Sequence, residues 1–454
     1  MKRNWQNQRV VVIGAGRSGQ ALVRFLVERG ALVALSDRRS REQIPGLEKI
    51  VELPIRLDLG GHDLSLFEQT DLVAVSPGVP LDSEPLRRAT ACNVPLLGEV
   101  ELAARELNVP LIGITGTNGK STVTSLLGRI LTGCDKAVFV GGNLGEPLIE
   151  ACSAEYAAAV VELSSFQLET ISTFHPDIGV LLNLSPDHLD RYADSASYYA
   201  AKLRLFENMS AADYAVLNAD DAEIVRLSAG IQARKVWFSA RGRLVEGLVR
   251  LGNTLVWNWQ GADQRFSLEA LSLPGEHNIE NAMAALIPAL LWQCPAESAW
   301  QAVCSFSGLP HRMQLVRKLN GVSWYNDSKG TNVGSVCKSL AGFQPHQVTL
   351  IAGGRDKGGD YRPLRPLLEQ KVKRLLLLGE AAERMAAELA ESCPISQLPD
   401  LATAVQQAAV QTRDGEVVLL SPACSSFDMF TNFEERGQVF EALVRQLPES
   451  EARP

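Results

Sequence analysis

The chain has 454 residues, with 44 Lys or Arg against 52 Asp or Glu and a net charge of −8. Its pI near 5.5 speaks against nucleic acid or an anionic membrane as the main partner. No apolar run approaches the roughly 20 residues that span a bilayer, and the N-terminus MKRNWQNQRVVVIGAG lacks the apolar core of a signal peptide. A cytoplasmic protein with no membrane partner is expected, and the eight scattered cysteines, none in a C-x-x-C pair, fit free thiols there. The length leaves room for about three domains.

The apolar run Arg9–Ile13 leads into Gly14-Ala15-Gly16-Arg17-Ser18-Gly19, the spacing G-x-G-x-x-G that brings backbone close to a diphosphate at a helix N-terminus. Gly30 ends the expected helix, residues 31–35 read as a strand, and Asp37 stands at its end where a Rossmann fold meets a ribose. NAD or NADP is one occupant of such a turn. A UDP group is another, with Arg38 and Arg39 beside its charges and Ser76 and Gly78 near its base or phosphates. Ser76-Pro77-Gly78 also reads as a plain turn. Strands at Leu72–Val75 and over residues 94–97 close a first domain at 1–98.

In the second domain, 99–308, the run Leu111–Thr115 precedes Gly116-Thr117-Asn118-Gly119-Lys120-Ser121-Thr122. This reads as strand, glycine-rich turn and helix start: successive N–H groups converge on an anion, Lys120 adds charge, and Ser121 or Thr122 offers a hydroxyl to Mg²⁺. The lysine end fits the pattern G-x-x-x-x-G-K-[ST], but Ile114 stands where its first glycine belongs. Apolar runs over 157–161 and 178–182 end at Glu162 and at Asn183-Leu184-Ser185-Pro186-Asp187-His188. Ligands bind beyond the carboxyl ends of strands in open α/β sheets, so Lys120, Glu162 and His188 are expected to meet over one edge. Carboxylate, imidazole and hydroxyl suit Mg²⁺ or Mn²⁺ around ATP phosphates. Taken singly, Glu162 reads as a loop carboxylate and His188 as a helix cap or packing residue. Lys202, among Ala200, Ala201, Leu203 and Leu205 of a helix expected over 196–208, is either solvated or desolvated and reactive. Asn278 and Asn281 share a helix face and would read an adenine or cap the helix.

The third domain, 309–454, opens on Leu309-Pro310-His311-Arg312, which looks like a linker. Strands at residues 322–325, 348–352, 374–378 and Val417–Leu420 run into polar loops: Asn326 to Asn332, Gly353 to Asp360, Gly379, and Ser421 to Asp428. This pattern predicts a second α/β layer with a site at its strand ends. A helix is expected over 400–412 with Asp400 as its N-cap, and the acidic tail from Glu449 is expected to fray.

With these residues in hand the chain resembles the Mur ligases from end to end. GAGRSG and SPG carry the likeness in the first domain, TGTNGKST, GGNLGEP, ELSSFQLE, SPDHLDRY, AAKLR and GEHNIENA in the second, and LPHR, NDSKGTN, GGRDKGGD and SPACSSFDMFTNFEERG in the third. The central set is shared with folylpolyglutamate synthases. The first and last sets resemble the members that add D-glutamate, and the DNPR signature of the diaminopimelate-adding members is missing.

The resemblance implies three α/β domains, the outer two Rossmann-like and the central one of P-loop type. It implies a monomer that forms an amide from UDP-N-acetylmuramoyl-L-alanine and D-glutamate with ATP and Mg²⁺. Lys120, Glu162, His188 and Lys202 are the implied catalytic residues, and Ser121, Glu162, His188 and a carbamylated Lys202 the metal donors. ATP is assigned to Gly116, Thr117, Asn118, Gly119, Lys120, Ser121, Thr122, Asn281, Arg312 and Asp327. The UDP-sugar is assigned to Arg17, Ser18, Asp37, Arg38, Gly78, Asn143, Ser164 and His188, and D-glutamate to Lys329, Thr331, Lys357, Ser426, Phe427 and Phe433. Two departures stand out: Gly330 where the family usually has alanine, and Arg355-Asp356 before Lys357. Alternatives are another amide ligase of this type, an NADP-dependent oxidoreductase carrying an ATP-binding module, and a non-catalytic nucleotide-binding module.

Overall fold

A computed structural model describes residues 4–189, 191–242, 246–273 and 275–449. Asp190 of the quoted motif SPDHLDRY, and the tail beyond Glu449, lie outside the described residues. The chain divides into two compact units: residues 1–184, 199–271 and 279–305 form the first, and residues 185–198, 272–278 and 306–454 the second.

The first unit holds two sheets. β1 (Arg9–Ile13), β2 (Leu32–Asp37), β3 (Arg56–Leu59), β4 (Leu72–Val75) and β5 (Leu96–Gly98) form a parallel sheet in the order β3-β2-β1-β4-β5. β1 sits at its centre, and the chain order reverses there, which opens a crevice at the carboxyl end of β1. The second sheet comprises β6 (Leu111–Thr115), β7 (Val138–Gly142), β8 (Ala158–Glu162), β9 (Ile178–Leu181), β10 (Tyr214–Asn218), β11 (Arg234–Ser239), β12 (Gly247–Leu251), β13 (Thr254–Trp259) and β14 (Ala262–Ser267). Their order is β14-β13-β12-β11-β10-β9-β6-β8-β7, parallel from β7 to β12. β6 and β8 are buried along their whole length, as continuous apolar runs in a doubly covered parallel sheet should be.

The antiparallel extension β12-β13-β14 is absent from the sequence reading. Its signal is a Gln260-Gly261 turn with both φ positive, +49° and +85°, after a strand in which buried residues alternate with less buried ones. Those two conformations are what a two-residue hairpin needs.

The second unit carries β15 (Gln314–Leu319), β16 (Val322–Asn326), β17 (Val348–Gly353), β18 (Val372–Leu378), β19 (Ile395–Gln397) and β20 (Val417–Leu420). Their order is β15-β16-β20-β17-β18-β19, with only β15–β16 antiparallel. Successive residues feed opposite cores: Leu350, Leu375, Leu377 and Leu419 one face, Ile351, Leu376, Leu378, Val418 and Leu420 the other. Asp400 caps helix Leu401–Gln411 as expected, accepting from the Thr403 amide at 2.7 Å. The expected helix over 196–208 is instead helix Ser195–Leu203 followed by a 3₁₀ turn, Arg204–Phe206. His311 is no loose linker: it is 7 % exposed, its ring nitrogen meets Asn326 Nδ2 at 2.8 Å, and its carbonyl accepts from Lys329 N. No helix among the described residues is long and apolar enough to cross a membrane.

Candidate active site

In the first unit, β6 delivers the chain to the glycine-rich turn and helix Lys120–Gly133 takes it away. Gly119 is the N-cap with φ +89°, and a Cβ there would come within 2.4 Å of Asn281 Oδ1. Glycine is therefore required both by conformation and by the amide packed on it. Lys120 Nζ folds over the turn and donates to the carbonyls of Gly116 and Thr117, each at 2.9 Å. Lys202 Nζ donates to the same Gly116 carbonyl at 2.9 Å, and Lys202 is only 1 % exposed. Ser121 and Thr122 are buried in the first helical turn. Two ammonium groups and a helix N-terminus thus share one loop, a positive field suited to phosphate.

Glu162 ends β8, whose register sets it opposite Ile114 of β6. The strands stay tied past their ends: Leu163 N–H donates to Ile114 at 2.8 Å, and the Thr115 hydroxyl to the Leu163 carbonyl at 2.8 Å. This places Glu162 at the end of the strand that neighbours the one feeding the glycine-rich turn. Its Oε1 accepts from Asn143 Nδ2 at 2.6 Å, while Oε2 is buried with no hydrogen-bond partner. Such an oxygen is costly unless a cation meets it. The Glu162 carboxylate and the Ser121 hydroxyl are hard oxygen donors of the kind that Mg²⁺ takes. No group of three or more His, Cys, Asp or Glu among the described residues could hold a metal, so a cation here needs further oxygens. Phosphates and water are the usual source of those oxygens for Mg²⁺.

Within the same unit Asp37 lies at the carboxyl end of β2. Its Oδ2 accepts from Ala15 N–H and Arg39 NH2, both at 2.7 Å, and its Oδ1 from Arg39 N and Nε. Burial opposes ionisation, but the Arg39 and Ala15 bonds prevail and hold the carboxyl at about 2. Both oxygens are engaged, which is not the arrangement of a carboxylate waiting for the ribose of NAD. Arg39 is the partner, while Arg38, the one of the two arginines that the family resemblance assigned to the UDP-sugar, is exposed. Arg17 reaches the loop after β7, donating to the Gly145 carbonyl at 2.7 Å. Ser76 donates to the Gly14 carbonyl at 2.8 Å, so it is more than a plain turn. Ser18 is half-buried and Gly78 exposed. Ser164 N-caps the short helix Ser165–Leu168 in a capping box with Gln167.

The segment bearing His188 belongs to the second unit, whereas Lys120 and Glu162 belong to the first. His188 adopts φ +55° directly after Asp187. Asp187 accepts from Asn332 Nδ2 at 2.9 Å and lies 3.7 Å from Lys357 Nζ. Burial opposes its charge, but Lys357, His188 and these bonds hold its carboxyl below the ordinary value. Asp187 and Asn332 sit inside quoted motifs yet escaped assignment; the adjacent His188 drew the attention.

Nearby, Lys329 Nζ stands 3.8 Å from the centre of the Phe433 ring, a cation–π pair. Thr331 N donates to the Lys329 carbonyl at 2.8 Å, while Ser426 is buried and Phe427 is 62 % exposed. Asp327 is buried, accepts from Ser421 Oγ at 2.7 Å and Ser339 Oγ at 2.8 Å, and is pushed by burial up to about 6 against those bonds and the Arg312 charge. Arg436, missed from sequence, is 1 % exposed and ties Ser328 to the carbonyls of Cys424 and Ser425. It staples the two loops that carry Lys329 and Ser426.

Three family models match in series: the Mur ligase MurD-like N-terminal domain over residues 8–98, the Mur ligase middle domain over 114–289, and the Mur ligase glutamate ligase domain over 311–424. The chain belongs to the Mur ligase family. A UDP-N-acetylmuramoylalanine--D-glutamate ligase of Syntrophotalea carbinolica is 54% identical over 98% of both chains. The protein of the same name from Geotalea uraniireducens is 49% identical over 98% of this chain and 99% of its own. Among solved structures, the UDP-N-acetylmuramate-alanine ligase MurC of Thermotoga maritima aligns with TM-score 0.62 at 18% identity, over 97% of this chain and 99% of its own. The MurF ligase of Thermotoga maritima, in complex with ADP, aligns with TM-score 0.62 at 14% identity over 98% and 100%. At those identities the two structures bear on fold alone.

Proposed function

We propose that the chain is an ATP-dependent, ADP-forming ligase that joins D-glutamate to the L-alanyl carboxylate of UDP-N-acetylmuramoyl-L-alanine, acting as a cytoplasmic monomer in peptidoglycan precursor synthesis. The observation that carries the chemistry is the glycine-rich turn under two lysine ammoniums, with a buried carboxylate oxygen without a donor at the end of the neighbouring strand. The choice of substrates is supported by end-to-end relatives of that name.

A carboxylate is a poor electrophile. Its oxygen attacks the γ-phosphorus of ATP, ADP leaves, and the acyl phosphate so formed is attacked by the amine of D-glutamate, releasing phosphate. Negative charge builds on phosphoryl and then tetrahedral oxygens, and Lys120 with the loop N–H groups is preorganised to face it. Gly116 to Thr122 hold the phosphates, and Asn281, Arg312 and Asp327 carry the remaining ATP assignments. Ser121, Glu162 and a carbamylated Lys202 are the assigned Mg²⁺ donors, with His188 given the same role by its motif. The cation, when bound, supplies neutralisation of phosphoryl charge. Carbamylation would turn the most buried cation of this loop into an anionic oxygen donor.

Arg17, Ser18, Asp37, Arg38, Gly78, Asn143, Ser164 and His188 are assigned to the UDP-sugar, to which Arg39 is added as the arginine locked on Asp37. Lys329, Thr331, Lys357, Ser426, Phe427 and Phe433 are assigned to D-glutamate. Domains are placed at 1–98, 99–308 and 309–454, each with its own sheet.

The test is ADP formation with Mg²⁺, ATP and UDP-N-acetylmuramoyl-L-alanine, offering D-glutamate, L-glutamate, L-alanine and meso-diaminopimelate separately. Turnover with D-glutamate alone is expected. Turnover with a different amino acid keeps the mechanism and rejects the D-glutamate assignments, and ATP hydrolysis indifferent to either substrate rejects the ligase.

A further inference from the structure

We propose that Asn183 is a positioning residue for nucleotide phosphates, its side-chain amide acting as a strand partner for the phosphate turn. β6 and β9 are parallel neighbours, with Thr115 opposite Leu181. Their pairing runs on beyond the strands: Leu182 N–H donates to the Thr115 carbonyl at 3.1 Å and Thr117 N–H to the Asn183 carbonyl at 2.9 Å. There the backbone of β9 parts from the turn, and the Asn183 side chain continues the ladder. Its Oδ1 accepts from Asn118 N–H at 2.8 Å, and its Nδ2 donates to the Asn118 carbonyl at 2.9 Å. A primary amide can present its C=O and an N–H on the same side, so one side chain meets both backbone groups of a single residue.

The consequence lies in the peptide planes it holds. In a trans peptide the N–H and C=O point opposite ways. Fixing Asn118 N–H turns the Thr117 carbonyl to the far side, where it receives Lys120 Nζ at 2.9 Å. Fixing the Asn118 carbonyl turns the Gly119 N–H to the far side, into the mouth of helix Lys120–Gly133 where an anion belongs. One side chain thereby aims both the loop lysine and a loop N–H before any nucleotide arrives. Without it, the turn at Gly119, φ +89°, would have to be ordered by the nucleotide itself, at a cost to affinity.

This inference rests on the turn being the nucleotide phosphate site, so Mg-ADP binding to the unaltered protein is measured first by calorimetry; its absence defeats that reading rather than this one. Asn183→Ala and Asn183→Leu, the second keeping the side-chain volume, are then compared for ADP affinity, for the KM values of all three substrates and for thermal unfolding without nucleotide. Expected are a loss of about tenfold in ADP affinity, a raised KM for ATP, and unchanged KM values for the UDP-sugar and D-glutamate. Wild-type affinity in either folded variant overturns the proposal, as does a lowered melting temperature with affinity retained. Hydrogen exchange on the wild-type chain tests it without a variant. Protection of the Asn118 amide in the nucleotide-free protein is expected, and exchange at the rate of an open loop overturns the role.

Discussion

At the scale of single residues the site is set by who holds whom. Lys120 is held by two carbonyls of its own turn, so removing it takes away a charge and leaves the strand and helix on either side intact. Lys120→Ala is expected to lower ADP formation by about a hundredfold or more, with little change in melting temperature. Melting that collapses along with activity would assign the lysine a structural role instead. Asp356 explains one of the two departures from the family pattern. Its carboxylate accepts from Gly358 N, from the Tyr361 hydroxyl and from Arg384 NH1 at 2.9, 2.9 and 2.7 Å, fixing the loop that carries Lys357. Asp356→Asn should raise the KM for the amino acid by about tenfold and leave that for ATP alone; steady-state kinetics with each substrate varied in turn decides it. The other departure has a spatial reason: a Cβ on Gly330 would come within 2.6 Å of Ser421 Oγ and 2.7 Å of Asp327 Oδ2. Those are two of the groups that bond each other there, so alanine would have to part them.

At the scale of elements, local rules explain most helices and strands. The cap of helix Leu401–Gln411 lies on an exposed surface, and its worth is that of one N-cap. Asp400→Ala is expected to cost about 1 kcal/mol of stability, read as a lower urea midpoint with unaltered turnover. A loss of activity at wild-type stability would show that this helix does more than support the sheet. The hairpin β12-β13-β14 teaches the opposite lesson. Only β13 shows an alternation of buried residues, β12 is short and β14 is mostly exposed, so the hairpin offers no long apolar run to find. The two tight turns, Gly252-Asn253 and Gln260-Gly261, betray it.

At the scale of the molecule, the seam between the first two sheets carries a pH dependence. Glu99 begins helix Glu99–Glu106, is fully buried, and accepts from Ile149 N–H at 2.8 Å, while its other oxygen has no partner. Burial, with Glu150 adding to it and the bonds from Ile149 and Leu148 opposing, lifts its carboxyl from 4.5 to about 7. The folded protein therefore holds this proton more tightly than the unfolded chain. The stabilisation is complete below the ordinary carboxylate value and is lost as pH rises through about 7. The shift corresponds to at most about 3 kcal/mol across that window. Glu99→Gln should flatten stability between pH 5 and 8, measured by denaturant unfolding; an unchanged slope would place the titration elsewhere.

The sequence by itself determined three sets of buried parallel strands, the glycine-rich turn, and the placing of Lys120 and Glu162 at or just past the ends of neighbouring strands. Each follows from a local pattern, a buried parallel run ending in glycine or a charged residue, together with the rule that ligands meet strand ends. Tertiary structure decided which neighbours complete those local pieces. Asp37 takes Arg39 and not Arg38, Asn183 braces a loop 65 residues before it, and Arg436 binds two loops from the far end of the chain. These partners are invisible in the sequence because an arginine or asparagine reads the same whether solvated or buried. Only the register of β6, β8 and β9, and the folding back of the last helix, bring a donor to a waiting carbonyl. Once buried, each such group must find its partner, and that demand fixes the site.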